Sequence, residues 1–156
     1  MQGRVYSVIF SAVAVSAAQD LFELTPADDK PIEIVGIELG QSSDAGDAAD
    51  ELLQISIIRG FTASGSGGSA PTPAPLNPND TAAGFTAEVN NTTVATTGTS
   101  VTLQTTCWNV RAGYIQWFPE GMRPSASQGN TTLLVRQTAP ADAITMSGTL
   151  YVRELV

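Results

Sequence analysis

Apolar residues recur along this chain in short runs with a two-residue period, the spacing of a strand that buries one face. The clearest run is 143–155, where Ile144, Met146, Leu150 and Val152 alternate with Thr145, Ser147, Thr149, Tyr151 and Arg153. Residues 4–15 are rich in Val, Ile, Tyr and Phe, and 52–61 place Leu53, Ile55 and Ile57 on one parity. The same reading predicts strands at 21–24, 84–89, 92–97, 101–110, 114–118 and 131–137. At 32–39 the alternation is only partial, with apolar residues on both parities after Val35, so this strand is expected to be buried on both faces. Turn residues separate the runs at Pro26–Asp29, Asn90-Asn91, Gly98, Ala112-Gly113, Pro119–Gly121, Gln128-Gly129 and Ala139-Pro140. A helical period shows only at 46–52, and no fixed-period repeat is found.

Many short strands at close spacing predict an all-β sandwich in one domain, 1–156. A jelly roll of two four-stranded sheets fits the number of strands. An immunoglobulin-like sandwich is the competitor, and it closes in about 100 residues. Residues 63–80, ASGSGGSAPTPAPLNPND, carry four Pro and three Gly and exclude a regular element. They predict a long Pro/Gly-rich surface arm, extended over Ala70–Pro75, that lies on a neighbouring chain.

Composition narrows the function. The chain is 42% hydrophobic but only 14% charged, with no His and a formal net charge of −8. Such a surface lacks the clustered bases that nucleic acid and anionic membranes require, so neither is an expected partner. No apolar run reaches the length of a membrane span. Arg4 followed by VYSVIFSAVAV imitates a secretory signal, but Ser7 and Ser11 interrupt it, and the segment reads as a strand. Ten acids fall between Asp20 and Glu51 against one base, Lys30. If the two halves of the chain occupied different faces, one face would be acidic and the other nearly neutral.

Within that half, QSSDAGDAADE (41–51) places Asp44, Asp47 and Asp50 three apart. Ser43 can cap a turn there, and acids suit a first helical turn. The spacing is wrong for a calcium loop, so the stretch reads as a capped, solvated turn, with a weak cation site as the alternative. Paired carboxylates of a glycosidase would need a facing pair in a cleft, which one sequence does not show. The lone Cys107 has no His to activate it and reads as a buried small hydrophobe. No phosphate loop, zinc set or dinucleotide fingerprint is present, so the expectation is no enzyme, no catalytic residue, no cofactor and no metal.

Trp108, Tyr114, Trp117 and Phe118 fall within eleven residues, flanked by Arg111 and Arg123. Aromatics at strand spacing are ordinary core residues, but Trp, Tyr and Arg together also mark interface centres. The interface candidates are therefore Trp108, Arg111, Tyr114, Trp117 and Arg123. Pro71, Pro73 and Pro75 of the arm join them.

Several stretches together resemble a group of small proteins of tailed bacteriophages and prophages. They are IVGIELGQSSDAGDAADELLQISIIRG, SGSGGSAPTPAPLNPND, AAGFTAEVNNTT, WNVRAGYIQWFPEGMRP and APADAITMSGTLYVREL, which cover most of 32–154. In size and β character the chain is similar to phage head decoration (cement) proteins. That resemblance implies a jelly-roll or tumour-necrosis-factor-like sandwich and a homotrimer. It also implies a site on the outer capsid surface bound to the major capsid protein, with residence in the host cytoplasm during assembly. It transfers no catalytic residue. A tail or fibre module binding a host receptor or glycan is the alternative, with exposed aromatics around Trp117 as its mark. A secreted adhesion domain with a cleaved N-terminus is the third reading.

Overall fold

A computed structural model describes residues 3–43, 51–127 and 131–155. The described residues form no helix. They build two antiparallel sheets packed as a sandwich. The strands in chain order are β1 (Gly3–Val15), β2 (Gln19–Thr25), β3 (Ile32–Gln41), β4 (Leu52–Phe61), β5 (Ala74–Pro75), β6 (Thr86–Asn91), β7 (Gly98–Asn109), β8 (Tyr114–Trp117), β9 (Ser125–Ala126), β10 (Leu133–Gln137) and β11 (Ile144–Leu155). One sheet runs β5-β1-β11-β3-β8, with β9 also paired to β3, and the other runs β6-β2-β10-β4-β7. The expected helical turn at 46–52 and the Asp44, Asp47 and Asp50 cluster lie mostly outside the described residues; Leu52 opens β4.

β11 shows how the pattern becomes a layer. Ile144, Met146, Leu150 and Val152 are buried against the facing sheet, while Thr145, Ser147, Thr149, Tyr151 and Arg153 point outward. Gly148 is the inward position between them. A Cβ there would lie 2.8 Å from the Phe10 ring, so the missing side chain makes room for Phe10. Phe10 in turn packs on Phe22 across the sandwich, with ring centroids 5.3 Å apart. The full core draws on Val8, Leu24, Ile34, Ile55, Leu133 and their neighbours from both sheets.

Two bulges correct the simple alternation. In β3 the register slips between Tyr151/Gly36 and Val152/Ile34, leaving Val35 as the extra residue. Ile32 and Ile34 face the core before the slip, and Ile37 and Leu39 after it. The apolar residues on both parities therefore mark a bulge in a one-sided strand, not a strand buried on both faces. In β1 the slip falls between Phe10 and Val13. There Ala12 takes a left-handed φ of 53° and donates its N–H to Ser147 Oγ at 2.9 Å.

The Pro/Gly segment differs from the expected arm. Its backbone is bonded to its own chain. Ser69 exchanges hydrogen bonds with Val89 of β6 at 3.0 and 2.8 Å, and Ser66 does the same with Thr93 at 2.9 Å. Further on, β5 pairs with Tyr6 and Ser7, and Leu76 N donates to Val5 O. The segment thus seals the free edge of β1 in one sheet and of β6 in the other. Proline suits the outermost position because it presents no N–H for a further strand.

Residues 92–97, expected as a strand, are irregular, and the strand before them extends through Asn91. Side chains satisfy the backbone there. Buried Asp20 accepts from Ala95 N at 2.9 Å and from Arg136 Nε and Nη2 at 2.6 and 3.0 Å. Arg136 Nη2 donates to Ala95 O at 2.8 Å, and the guanidinium lies 5.2 Å from the Phe61 ring centroid. The loop covers a small second apolar cluster of Ile58, Phe61, Ala95 and Leu134 on the outer face of its sheet.

Glu23 sits beside this pair, also buried, and both its oxygens accept from Gly65 N at 3.0–3.1 Å. Burial, and then the hydrogen bond and charge of Asp20, raise its pKa to about 7 against the lowering by Asn91 and the Gly65 N–H. The acids of the first half are therefore not gathered on one face. Asp20 and Glu23 are buried in one sheet, and Glu33 is ion-paired on the other. The reason is that β2 and β3 belong to opposite sheets.

Two outcomes follow from this carboxylate cluster. Asp20→Ala strands the Arg136 charge and the Ala95 N–H, and is expected to lower the unfolding free energy by about 3–5 kcal/mol in denaturant titration. Glu23 has its raised pKa in the folded state, so its contribution to stability is full below about pH 4.5 and is lost as pH rises through about 7. A Glu23→Gln variant should match the wild-type melting temperature profile only at acid pH and lie above it at pH 8–9, measured by calorimetry across pH.

Candidate functional site

The opposite side of the sandwich is open. β8 ends one sheet and β7 ends the other, and neither has an outer partner strand among the described residues. β3 is flanked here by two short strands in succession. β8 covers Gly36–Leu39 and β9 covers Ile32 and Glu33. Between them the chain leaves the sheet over 118–124, held at its ends by Phe118 N to Val35 O at 2.9 Å and Ile34 N to Pro124 O at 2.8 Å. The Val35 bulge is the point where the two partners part. Facing this loop is the middle of β7, and the gap between them is a cleft of about 520 Å³.

Trp117 borders it at the sheet edge, with its ring turned to the outer face: its partner Gly36 pairs with the outward Tyr151, whereas Gln116 pairs with core Ile37. It is 54% exposed, and its ring stacks on Tyr151 with centroids 5.0 Å apart and planes 29° apart. The ring also lies over Gly36, directly opposite in the β3–β8 register. A Cβ at Gly36 would come within 2.3 Å of Trp117 Cε3. Tyr151 is anchored by its hydroxyl, which donates to Glu38 Oε2 at 3.3 Å. Burial, then the Glu38 charge and this hydrogen bond, push its pKa up. The aromatic is therefore held flat with one face toward solvent.

Polar groups line the rest. Gln104 Nε2 of β7 donates to Gln116 Oε1 of β8 at 2.8 Å, joining the two sheets across the open side. The Tyr114 hydroxyl donates to the same Gln116 oxygen. Burial alone pushes Tyr114 up in pKa. Arg59 reaches from β4 to donate its Nη1 to Ser125 O in β9 at 2.8 Å. Arg123 pairs with Glu33 at 2.7 Å, and Arg153 shares the same carboxylate oxygen at 3.3 Å. The exposed side chains of Leu103 and Met122 form the rim.

The expected interface residues separate into four places. Trp117 and Arg123 line the cleft, with Tyr114 bonded just behind it. Trp108 is only 4% exposed and donates its indole N–H to Gln137 Oε1 at 3.3 Å, a core position. Arg111 is on the β7–β8 turn beside Gly40 and Gly113, away from the cleft. Pro71, Pro73 and Pro75 belong to the sealing segment on the far edge, with Pro73 buried. Cys107, expected in the core, is exposed, because its parity on edge strand β7 is the outward one opposite Gln54. Arg59 and the two Gln residues were not foreseen. The only signal for Arg59 was a base inside an otherwise apolar run, and its role depends on a loop distant in sequence.

Among the described residues, no three His, Cys, Asp or Glu side chains converge as a metal site. No protein-family model and no curated protein matches the chain. Among solved structures, a chain from the crystal structure of the T13 IBDV viral particle aligns at 13% identity. All of this chain aligns with 40% of that one, at a TM-score of 0.15, which carries no argument about fold or function.

The platform can be tested by filling the space beneath it. Gly36→Ala should displace the Trp117 ring and cost about 1–2 kcal/mol of stability. The tryptophan emission should shift to longer wavelength, since the buried Trp108 is unaffected. An unchanged spectrum would show that the ring does not rest on Gly36.

Proposed function

We propose that the chain is a non-enzymatic virion protein, a decoration (cement) protein of a tailed bacteriophage or prophage. It binds the outer surface of the head through the major capsid protein, as a homotrimer with a jelly-roll fold. The observation that carries this reading is the order of the strands. β1, β2, β3 and β4 alternate between the sheets, and β7, β8, β10 and β11 return the same way. β11 enters between β1 and β3, and β10 between β2 and β4. Two interlocked Greek keys have that order, which is the plan of jelly rolls, a fold common in viral shells.

The distribution of open surface supports the contact role. One side of the sandwich is sealed by the Pro/Gly segment, while Gly98–Leu103 of β7 is exposed on both faces. No residue of 98–110 is charged. Copies of a chain with net charge −8 repel one another, so a neutral edge bearing Val101 is where another protein surface approaches at the lowest electrostatic cost. An uncovered edge strand is also a ready template for pairing.

The test uses heads assembled without this chain. The purified protein should rebind them and raise their resistance to heat, and light scattering should give three times the chain mass. A Thr99→Lys, Val101→Lys double variant should keep its melting temperature but lose about tenfold or more in head affinity. Wild-type protein that neither binds the heads nor protects them ends this reading.

A further inference from the structure

One carboxylate on the outer face of the β5-β1-β11-β3-β8 sheet is left without a balancing cation. The register sets two rows of outward side chains across this sheet. In one row Ile9 of β1, Thr149 of β11, Glu38 of β3 and Ile115 of β8 stand in line. In the next row stand Ser7, Tyr151, Gly36 and Trp117. Glu38 is therefore directly beside Ile115 and diagonal to Trp117, a separation that aromatic and long side chains span. Its Oε2 accepts the Tyr151 hydroxyl at 3.3 Å, and the Tyr151 ring stacks with Trp117. Apolar groups of the two rows are open to solvent: Ile9 is 57% exposed, Ile115 69% and Trp117 54%. The bases of the adjoining row are already matched. Arg123 and Arg153 share Glu33 at 2.7 and 3.3 Å, and Arg153 also lies 3.8 Å from Glu120. Among the described residues no base comes within ion-pairing distance of Glu38.

From this we infer that the outer face at β11, β3 and β8 docks an extended segment of a partner protein through one arginine set between apolar residues. Arginine is the side chain that uses both parts of the site. Its planar guanidinium stacks on an indole, and its fork of N–H groups matches a carboxylate. Glu38 supplies the charge, Trp117 the stacking surface, and Ile115 and Ile9 the apolar contacts on either side. A charge-assisted pair surrounded by apolar contacts that exclude water is the plan of an interface centre. The sign also suits the whole chain, whose net charge of −8 draws a basic segment toward it. A second copy of the chain brings a further −8, so a foreign segment is the favoured occupant. The inference does not rest on the capsid reading, and its assay uses no capsid, so either can fail alone.

The probe is the peptide acetyl-Ser-Leu-Arg-Leu-Ser-amide, with citrulline in place of its arginine as the neutral control. Trp117 reports binding by its fluorescence, because the other tryptophan, Trp108, is buried. The arginine peptide should saturate the signal at millimolar concentration or below, and the citrulline peptide should bind at least about tenfold more weakly. Added salt should narrow that difference. By calorimetry, Glu38→Gln should reduce the affinity of the arginine peptide to that of the citrulline peptide, and Trp117→Ala should abolish binding of both. Each variant is first required to melt as the wild type does. If Glu38→Gln does not, Ile115→Lys replaces it: the position is exposed and directly opposite Glu38, and a cation there should weaken the arginine peptide about tenfold. Equal binding of the two peptides, an arginine affinity that these variants leave unchanged, or no saturation up to about 20 mM would overturn the assignment. So would light scattering in which Glu38→Gln or Trp117→Ala breaks up a wild-type oligomer, since a second copy would then cover this face.

Discussion

The two strands that complete this protein come last in the chain and lie in the middle of its sheets. β11 is inserted between β1 and β3, and β10 between β2 and β4. Until they arrive, β1 and β3 have no common partner, and neither have β2 and β4. Each of the four would leave a row of N–H and C=O groups unpaired on its inner edge. The hydrophobic core depends on the same event, because Ile144, Met146, Leu150, Val152, Leu133 and Val135 fill its centre. Almost every pairing joins residues far apart in sequence, so much loop closure is completed before the contacts compensate for it.

Sheets closed in this way still leave four edges, and the protein treats them unequally. On one side the 63–80 segment spans both sheets, bonded to β6 through Ser69 and to β1 through β5. Buried carboxylates hold the covering loops. Asp20 holds Ala95, Glu23 holds Gly65, and Glu154 accepts from Gly84 N and Phe85 N at 2.7 and 3.1 Å. These acids act as caps for loop backbone that has no strand partner. The negative charge of the first half is thus partly spent inside the molecule, on positions that a reading of surface charge assigns to solvent.

On the other side no described strand covers β7, and the strand opposite it is broken. The break falls at the Val35 bulge, where β3 passes from its pairing with β8 to its pairing with β9. The loop between them stands away from the sheet, and Arg59 and Arg123 line the gap it leaves, with the Trp117 ring on the outer face. Trp117 rests over Gly36, the direct cross-strand partner of Tyr151, and Arg59 reaches a backbone carbonyl on the opposite sheet. The cleft is thus lined by segments distant in the chain that come together beside one local irregularity.

The all-β class was legible in the alternation of residues, most fully in β11, because inward and outward positions of a strand differ by one residue and leave a direct trace in the chain. The same alternation runs through β8, where Tyr114 and Gln116 face inward and Ile115 and Trp117 outward. Three things were not legible. Val35 looked like the sign of a strand buried on both faces, since a bulge and double burial leave the same apolar pattern. Residues 92–97 looked like a strand, since their Thr and Val content is independent of whether Asp20 and Arg136 take the backbone bonds instead. Cys107 looked buried, since parity fixes a face only when both faces are known, and β7 is an edge. Periodicity records which way a side chain points relative to its neighbours in sequence. Which sheet a strand enters, what covers its edge and which acceptor meets Arg59 depend on residues far away in the chain, and only the packed molecule decides them.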